Sequence, residues 1–102
     1  MKQLSLITHT DAQQDLTDQL RILEQISGFT FSHVEGHGIE VEPDPFLSAR
    51  DKVVGYMPRI RLDILLQEEA IDSVLEALRN SSSYFEGHGI YWVTAVERNG
   101  YL

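Results

Sequence analysis

Glu35-Gly36-His37-Gly38-Ile39 recurs letter for letter as Glu86-Gly87-His88-Gly89-Ile90 in a chain of 102 residues. The two copies hold four of the seven glycines and two of the four histidines. An imidazole between glycines is a titratable donor, acceptor or metal ligand, carried on a backbone that can turn sharply or approach a ligand closely. Imidazole beside carboxylate suits zinc or copper, with further oxygens completing the shell. The candidate ligand-binding residues are therefore Gly36, His37, Gly38, Gly87, His88 and Gly89, and the candidate metal ligands are His37, His88, Glu35 and Glu86. The plain alternative is a pair of exposed loop histidines beside turn glycines, kept by duplication. His9 and His33 read as ordinary strand-end residues, because four residues of extended chain make a poor chelate of His33 with His37.

A net charge of -8 and a pI near 4.8 argue against nucleic acid as a partner, since phosphate binding needs a basic face. With no cysteine there is no disulfide framework, thiolate nucleophile or Cys-type zinc site. Apolar residues make up 42 % of the chain, enough for one modest core, and no run approaches the roughly 18 apolar residues of a membrane span. A single cytoplasmic domain over residues 1–102, not inserted in a membrane, is the expectation.

Two similar units must carry the two copies. Gln3 to Thr8 alternates as a short strand, and Asp11 offers an N-cap to a helix with Leu16, Leu20, Leu23 and Ile26 on its buried stripe and Gly28 as C-cap. Phe29 to Val34 is β-prone and runs into the first copy. Val41 to Asp51, with Pro43 and Pro45, predicts a long exposed loop. Val53 to Leu66 resumes strand character, with Pro58 marking a strand start or bulge, and Gln67-Glu68-Glu69 opens a second helix striped by Ile71, Val74, Leu75 and Leu78. Asn80 to Tyr84 is a polar turn, and Ile90 to Glu97 closes as a strand.

The order β-α-β, β-α-β predicts an α+β, ferredoxin-like split βαβ fold: a four-stranded antiparallel sheet with two helices on one face. Phe29 to Val34 and Ile90 to Val96 carry apolar residues at both parities, which predicts apolar surface on the open face and an oligomer interface there.

Taken in order, these stretches resemble the PII signal-transduction proteins. Val53-Val54-Gly55-Tyr56-Met57-Pro58-Arg59-Ile60-Arg61-Leu62 is similar to the PII segment in which an aromatic, an aliphatic and Pro precede alternating basic and aliphatic residues. Ile71 to Leu78 resembles the helix that follows, and Gly87-His88-Gly89-Ile90-Tyr91-Trp92-Val93 resembles the stretch opening the last PII strand, with Val96-Glu97-Arg98 beyond it. Gly36-His37-Gly38 stands where PII has Gly-Phe-Gly at the base of its long T-loop. The resemblance implies a homotrimer with three sheets facing inward and effector sites in the clefts between copies. It also implies a T-loop, here residues 39–52, that docks on a target enzyme or transporter, with Pro43, Pro45, Phe46 and Leu47 as its docking residues.

The departures weaken the nucleotide site. Where the PII loop base continues with Arg and Gln, this chain has Ile39 and Glu40; where PII has a phosphate-binding Lys, it has Ile90. The paired arginines near the PII C-terminus are reduced to Arg98, followed by Asn99-Gly100-Tyr101-Leu102. ATP and ADP are therefore not expected as ligands, and zinc or copper is the candidate cofactor. Tyr91 and Trp92 read as interface or core aromatics, and Arg59 and Arg61 as solvent-facing or inter-subunit pairs. The leading function is a non-catalytic PII-like regulator; the alternative is a metal-binding, metal-tolerance protein of the similarly folded CutA kind. An acylphosphatase would need an Arg in the loop after the first strand, and Thr8-His9-Thr10-Asp11 contains none.

Overall fold

The computed structural model describes residues 1–37, 57–81 and 89–102. Four strands form one sheet: β1 (Lys2–His9), β2 (Phe29–Gly36), β3 (Met57–Leu66) and β4 (Ile90–Ala95). Two helices, α1 (Gln13–Arg21) and α2 (Ile71–Arg79), are each entered through a short 3-10 turn, Thr10–Ala12 and Glu68–Ala70. The strand order is β2-β3-β1-β4, with β1–β3, β1–β4 and β2–β3 all antiparallel. This is the expected α+β, ferredoxin-like arrangement.

Period-two alternation in the two central strands decides which face is buried. Leu4 and Leu6 of β1 lie opposite Ile64 and Leu62 of β3, and these residues form the core with Leu16 and Leu20 of α1 and Val74, Leu75 and Leu78 of α2. The same register carries Phe29 and Phe31 of β2, and Tyr91 and Val93 of β4, to the helix side.

The first helix differs from its expected span at both ends. Asp11 is not the N-cap of α1; Ala12 is, with no side-chain cap bond, while His9 caps the preceding 3-10 turn, its Nδ1 accepting the Asp11 backbone N–H at 3.0 Å. At the other end α1 stops at Arg21, and Leu23 and Ile26 continue in turns closed by Leu23 N–H to Leu20 C=O and Ile26 N–H to Leu23 C=O. Both still pack against the core. A series of tight turns satisfies their periodicity as well as a helix would, so Gly28 lies well past the helix end and is not its C-cap. β2 runs two residues further than expected, taking Glu35 and Gly36 into the ladder opposite Pro58 and Met57. Of the expected strand Val53 to Leu66, the part from Met57 onward is β3, and residues 53–56 lie outside the described residues.

The open face is mixed: it carries apolar residues, as the strands' second parity predicts, around a polar centre. Its residues are Gln3, Ser5, Ile7 and His9 on β1, Arg59, Arg61, Asp63 and Leu65 on β3, Thr30, Ser32 and Val34 on β2, and Ile90, Trp92 and Thr94 on β4. The apolar parity of β2 went to the helix side, so hydroxyls face outward there. Polar side chains bonded to one another occupy the middle of the face.

Candidate functional site

All four strands bring their functional ends to one end of the sheet. β1 ends there at His9 and β2 at Gly36, while β3 and β4 begin there. β2 and β4 are the two outer strands, so Glu35 and Gly36 of the first copy lie at one edge of the sheet and Ile90, the last residue of the second, starts the strand at the other. Three strand spacings, about 14 Å, separate those edges.

The first copy is described as far as His37. The extended strand puts Glu35 and His37 on one side, and their Oε2 and Nε2 lie 3.2 Å apart, both side chains more than half exposed. This pair supplies one imidazole and one carboxylate. Among the described residues no group of three or more such side chains could hold a metal ion. The remaining candidate ligands, Glu86 and His88, lie outside the described residues, as do Gly38, Gly87 and the docking residues Pro43, Pro45, Phe46 and Leu47 with the whole 39–52 segment. Gly89 is described and borders a hollow of about 290 Å³ between α2 and β4, walled by Leu6, Leu75, Leu78, Ile90 and Tyr91. The Arg79 guanidinium lies 5.9 Å from the Tyr91 ring centroid at its rim.

His9 is the last residue of β1, the strand end expected. It is 6 % exposed, its Nδ1 is engaged by the Asp11 amide, and Arg59 faces it across the ladder. Arg59 is itself buried, with one guanidinium nitrogen donating to the Pro58 carbonyl at 3.1 Å, so it is not the solvent-facing side chain expected. Arg61 pairs within its own strand, its Nε donating to both oxygens of Asp63 at 3.1 Å, and its guanidinium carbon lies 5.1 Å over the ring of Trp92.

Sequence reasoning missed the cluster centred on Asp63. Ser5 Oγ donates to Asp63 Oδ1 at 2.6 Å and Gln3 Nε2 donates to the same oxygen at 3.0 Å. Burial pushes the Asp63 carboxyl up, but the hydrogen bonds from Ser5, Arg61 and Gln3 and the Arg61 charge outweigh it, and the net shift is downward. The signal lay in the strands' second parity, where Gln3 and Ser5 could meet Asp63 only once β1 and β3 were in register. One orphan contrasts with this cluster: among the described residues the buried Thr8 Oγ1 has no hydrogen-bond partner.

Residues 1–102 match the family described as "Protein of unknown function (DUF3240)". The chain belongs to that family. Its fold is similar to that of a DUF3240 protein from Shewanella baltica, with a TM-score of 0.77 and 25 % identity over 99 % of this chain and 94 % of that one. It is also similar to "Nitrogen regulatory protein P-II 1" of Methanothermobacter thermautotrophicus, 27 % identical over 94 % of this chain and 84 % of that protein. The "Nitrogen regulatory protein P-II" of Rhizobium meliloti is 26 % identical over 71 % of this chain and 65 % of its own length. The PII resemblance of the motifs thus holds over nearly the whole DUF3240 chain. No helix among its described residues is long and apolar enough to cross a membrane.

Proposed function

We propose that this DUF3240 protein is a non-catalytic regulator of the PII kind: a cytoplasmic homotrimer that reads a small effector or metal ion in clefts between copies. In this reading it docks on a partner, an enzyme or a membrane transporter, through residues 39–52. The observation that carries the reading is the strand order. With the β2 end (Glu35, Gly36) and the β4 start (Ile90) at the same end but opposite edges of one sheet, a ring of copies would bring the first edge of each toward the second edge of its neighbour. The P-II names of its relatives support the regulatory part and favour it over the metal-tolerance alternative.

Glu35 and His37 would form half of each cleft site, and Glu86 and His88 of the neighbouring copy the other half. The site lacks the cations that a triphosphate needs, with Ile39, Glu40 and Ile90 where PII proteins carry polar or basic residues. A metal ion or a less charged effector fits these residues better. Calorimetry of the full chain against zinc, copper, nickel, ATP and ADP tests this. Zinc or copper should bind, and binding should be lost on His37→Ala or His88→Ala. Binding unaffected by either change would remove the metal reading.

A further inference from the structure

The hollow between α2 and β4 lies within one copy of the chain, at the edge of the sheet opposite the Glu35–His37 pair. Its volume of about 290 Å³ is room for on the order of ten non-hydrogen atoms, at roughly 30 Å³ for each water-sized group. Leu6, Leu75 and Leu78 line it and are all buried core residues, so the hollow reaches down to the core. Tyr91 lines it as well and is half exposed, leaving aromatic surface that an occupant would cover.

Apolar walls alone select little, and charge narrows the choice. Among the described residues the one charged side chain lining the hollow is Arg79, a cation in a chain of net charge -8. Its guanidinium carbon stands 5.9 Å from the Tyr91 ring centroid. Among the described residues it makes no ion pair, not even with Glu76 three positions earlier on the helix. An arginine in the last turn of a helix commonly serves the free carbonyls there. Here two of those carbonyls are already met: Asn80 N–H donates to Glu76 C=O at 3.2 Å, and Ser81 donates to Leu78 C=O from its N–H at 3.1 Å and its Oγ at 2.7 Å. A guanidinium at the mouth of a leucine-floored hollow matches a ligand with an apolar body and one anionic end. The acidic protein as a whole repels an anion without such a body, so recognition needs both parts.

We propose that the α2–β4 hollow binds a small apolar monocarboxylate, its hydrocarbon against Leu6, Leu75, Leu78 and Tyr91 and its carboxylate on the Arg79 guanidinium. This site is complete in a single copy, so it stands or falls separately from the reading of clefts between copies. Octanoate, with about the number of atoms the hollow holds, is the probe. Titrated into the full chain and followed by amide NMR, it should shift Leu75, Leu78, Arg79 and Tyr91 saturably, with a dissociation constant on the order of 0.1–1 mM. Arg79→Met keeps an unbranched stem at an exposed position, should fold normally by circular dichroism, and should weaken octanoate about tenfold or more, the scale of one charge-assisted hydrogen bond. Arg21→Met makes the same change of charge in the last turn of α1 and should leave binding as it is. Octylammonium, the same chain with the opposite charge, should bind at least tenfold more weakly than octanoate. Octanoate that binds no tighter than octylammonium, is indifferent to Arg79→Met, shifts residues scattered over the surface, or does not bind at several millimolar overturns the proposal.

Discussion

Replacing Asp63 with alanine removes the acceptor that Ser5, Gln3 and Arg61 share. The three donors do not lose equally. Ser5 is fully buried, so its hydroxyl is left without acceptor or water, at about 1–3 kcal/mol. Gln3 and Arg61 are only partly buried, and water can replace the carboxylate at about 0–1 kcal/mol together. The expected loss is about 2 kcal/mol, or roughly 8–16 °C in Tm for a domain of this size. Urea denaturation followed by circular dichroism, repeated at several protein concentrations to separate folding from any change in assembly, measures it. Ser5→Ala in the Asp63→Ala background removes the orphaned hydroxyl, so the pair should be less destabilising than the sum of the single changes by about 1 kcal/mol. Losses that add within about 0.3–0.5 kcal/mol, or an Asp63→Ala loss below about 0.5 kcal/mol, would refute the shared-acceptor account.

Four further outcomes follow from the same structure. Thr8→Val keeps the side chain's shape while deleting a buried hydroxyl with no partner, and should stabilise the fold by about 1 kcal/mol; a lower urea midpoint contradicts this. Leu16→Ala, at a fully buried α1 position, should cost about 2–5 kcal/mol by the same assay, and a loss under about 1 kcal/mol would contradict the core described here. Because the Asp63 carboxyl is held below its usual 3.8, its contribution is complete above that value and is lost as pH falls through the folded value. The stability gap to Asp63→Asn should therefore be steady from pH 7 to 5 and shrink toward pH 2; a constant gap contradicts it. ATP should bind weakly or not at all, since each missing charge-assisted bond forfeits about 1.5–3 kcal/mol, and a micromolar dissociation constant by calorimetry contradicts the reading of Ile39 and Ile90.

The sheet and both helices were legible because alternation and helical spacing are local signals. Leu4, Leu6, Ile60, Leu62 and Ile64 announce their face by period two, and all five are buried. Leu23 and Ile26 extended the helical spacing past the true end of α1, because tight turns can satisfy the same pattern. Register was not legible. It sends Phe29, Phe31, Tyr91 and Val93 to the helix side and brings Gln3 and Ser5 to Asp63, so a polar cluster sits at the middle of a face that also carries Ile7, Val34, Leu65, Ile90 and Trp92. The candidate site was legible as a repeat, and the Glu35–His37 contact follows from spacing on an extended strand. In the proposed trimer the two copies would meet through the packing of separate chains, which no local pattern encodes.

The central claim is that the site is completed by neighbouring copies, so the mass in solution tests it most directly. Multi-angle light scattering on the full chain at micromolar concentration should return three times the 11.6 kDa chain mass. A stable species at 11.6 kDa would contradict the account.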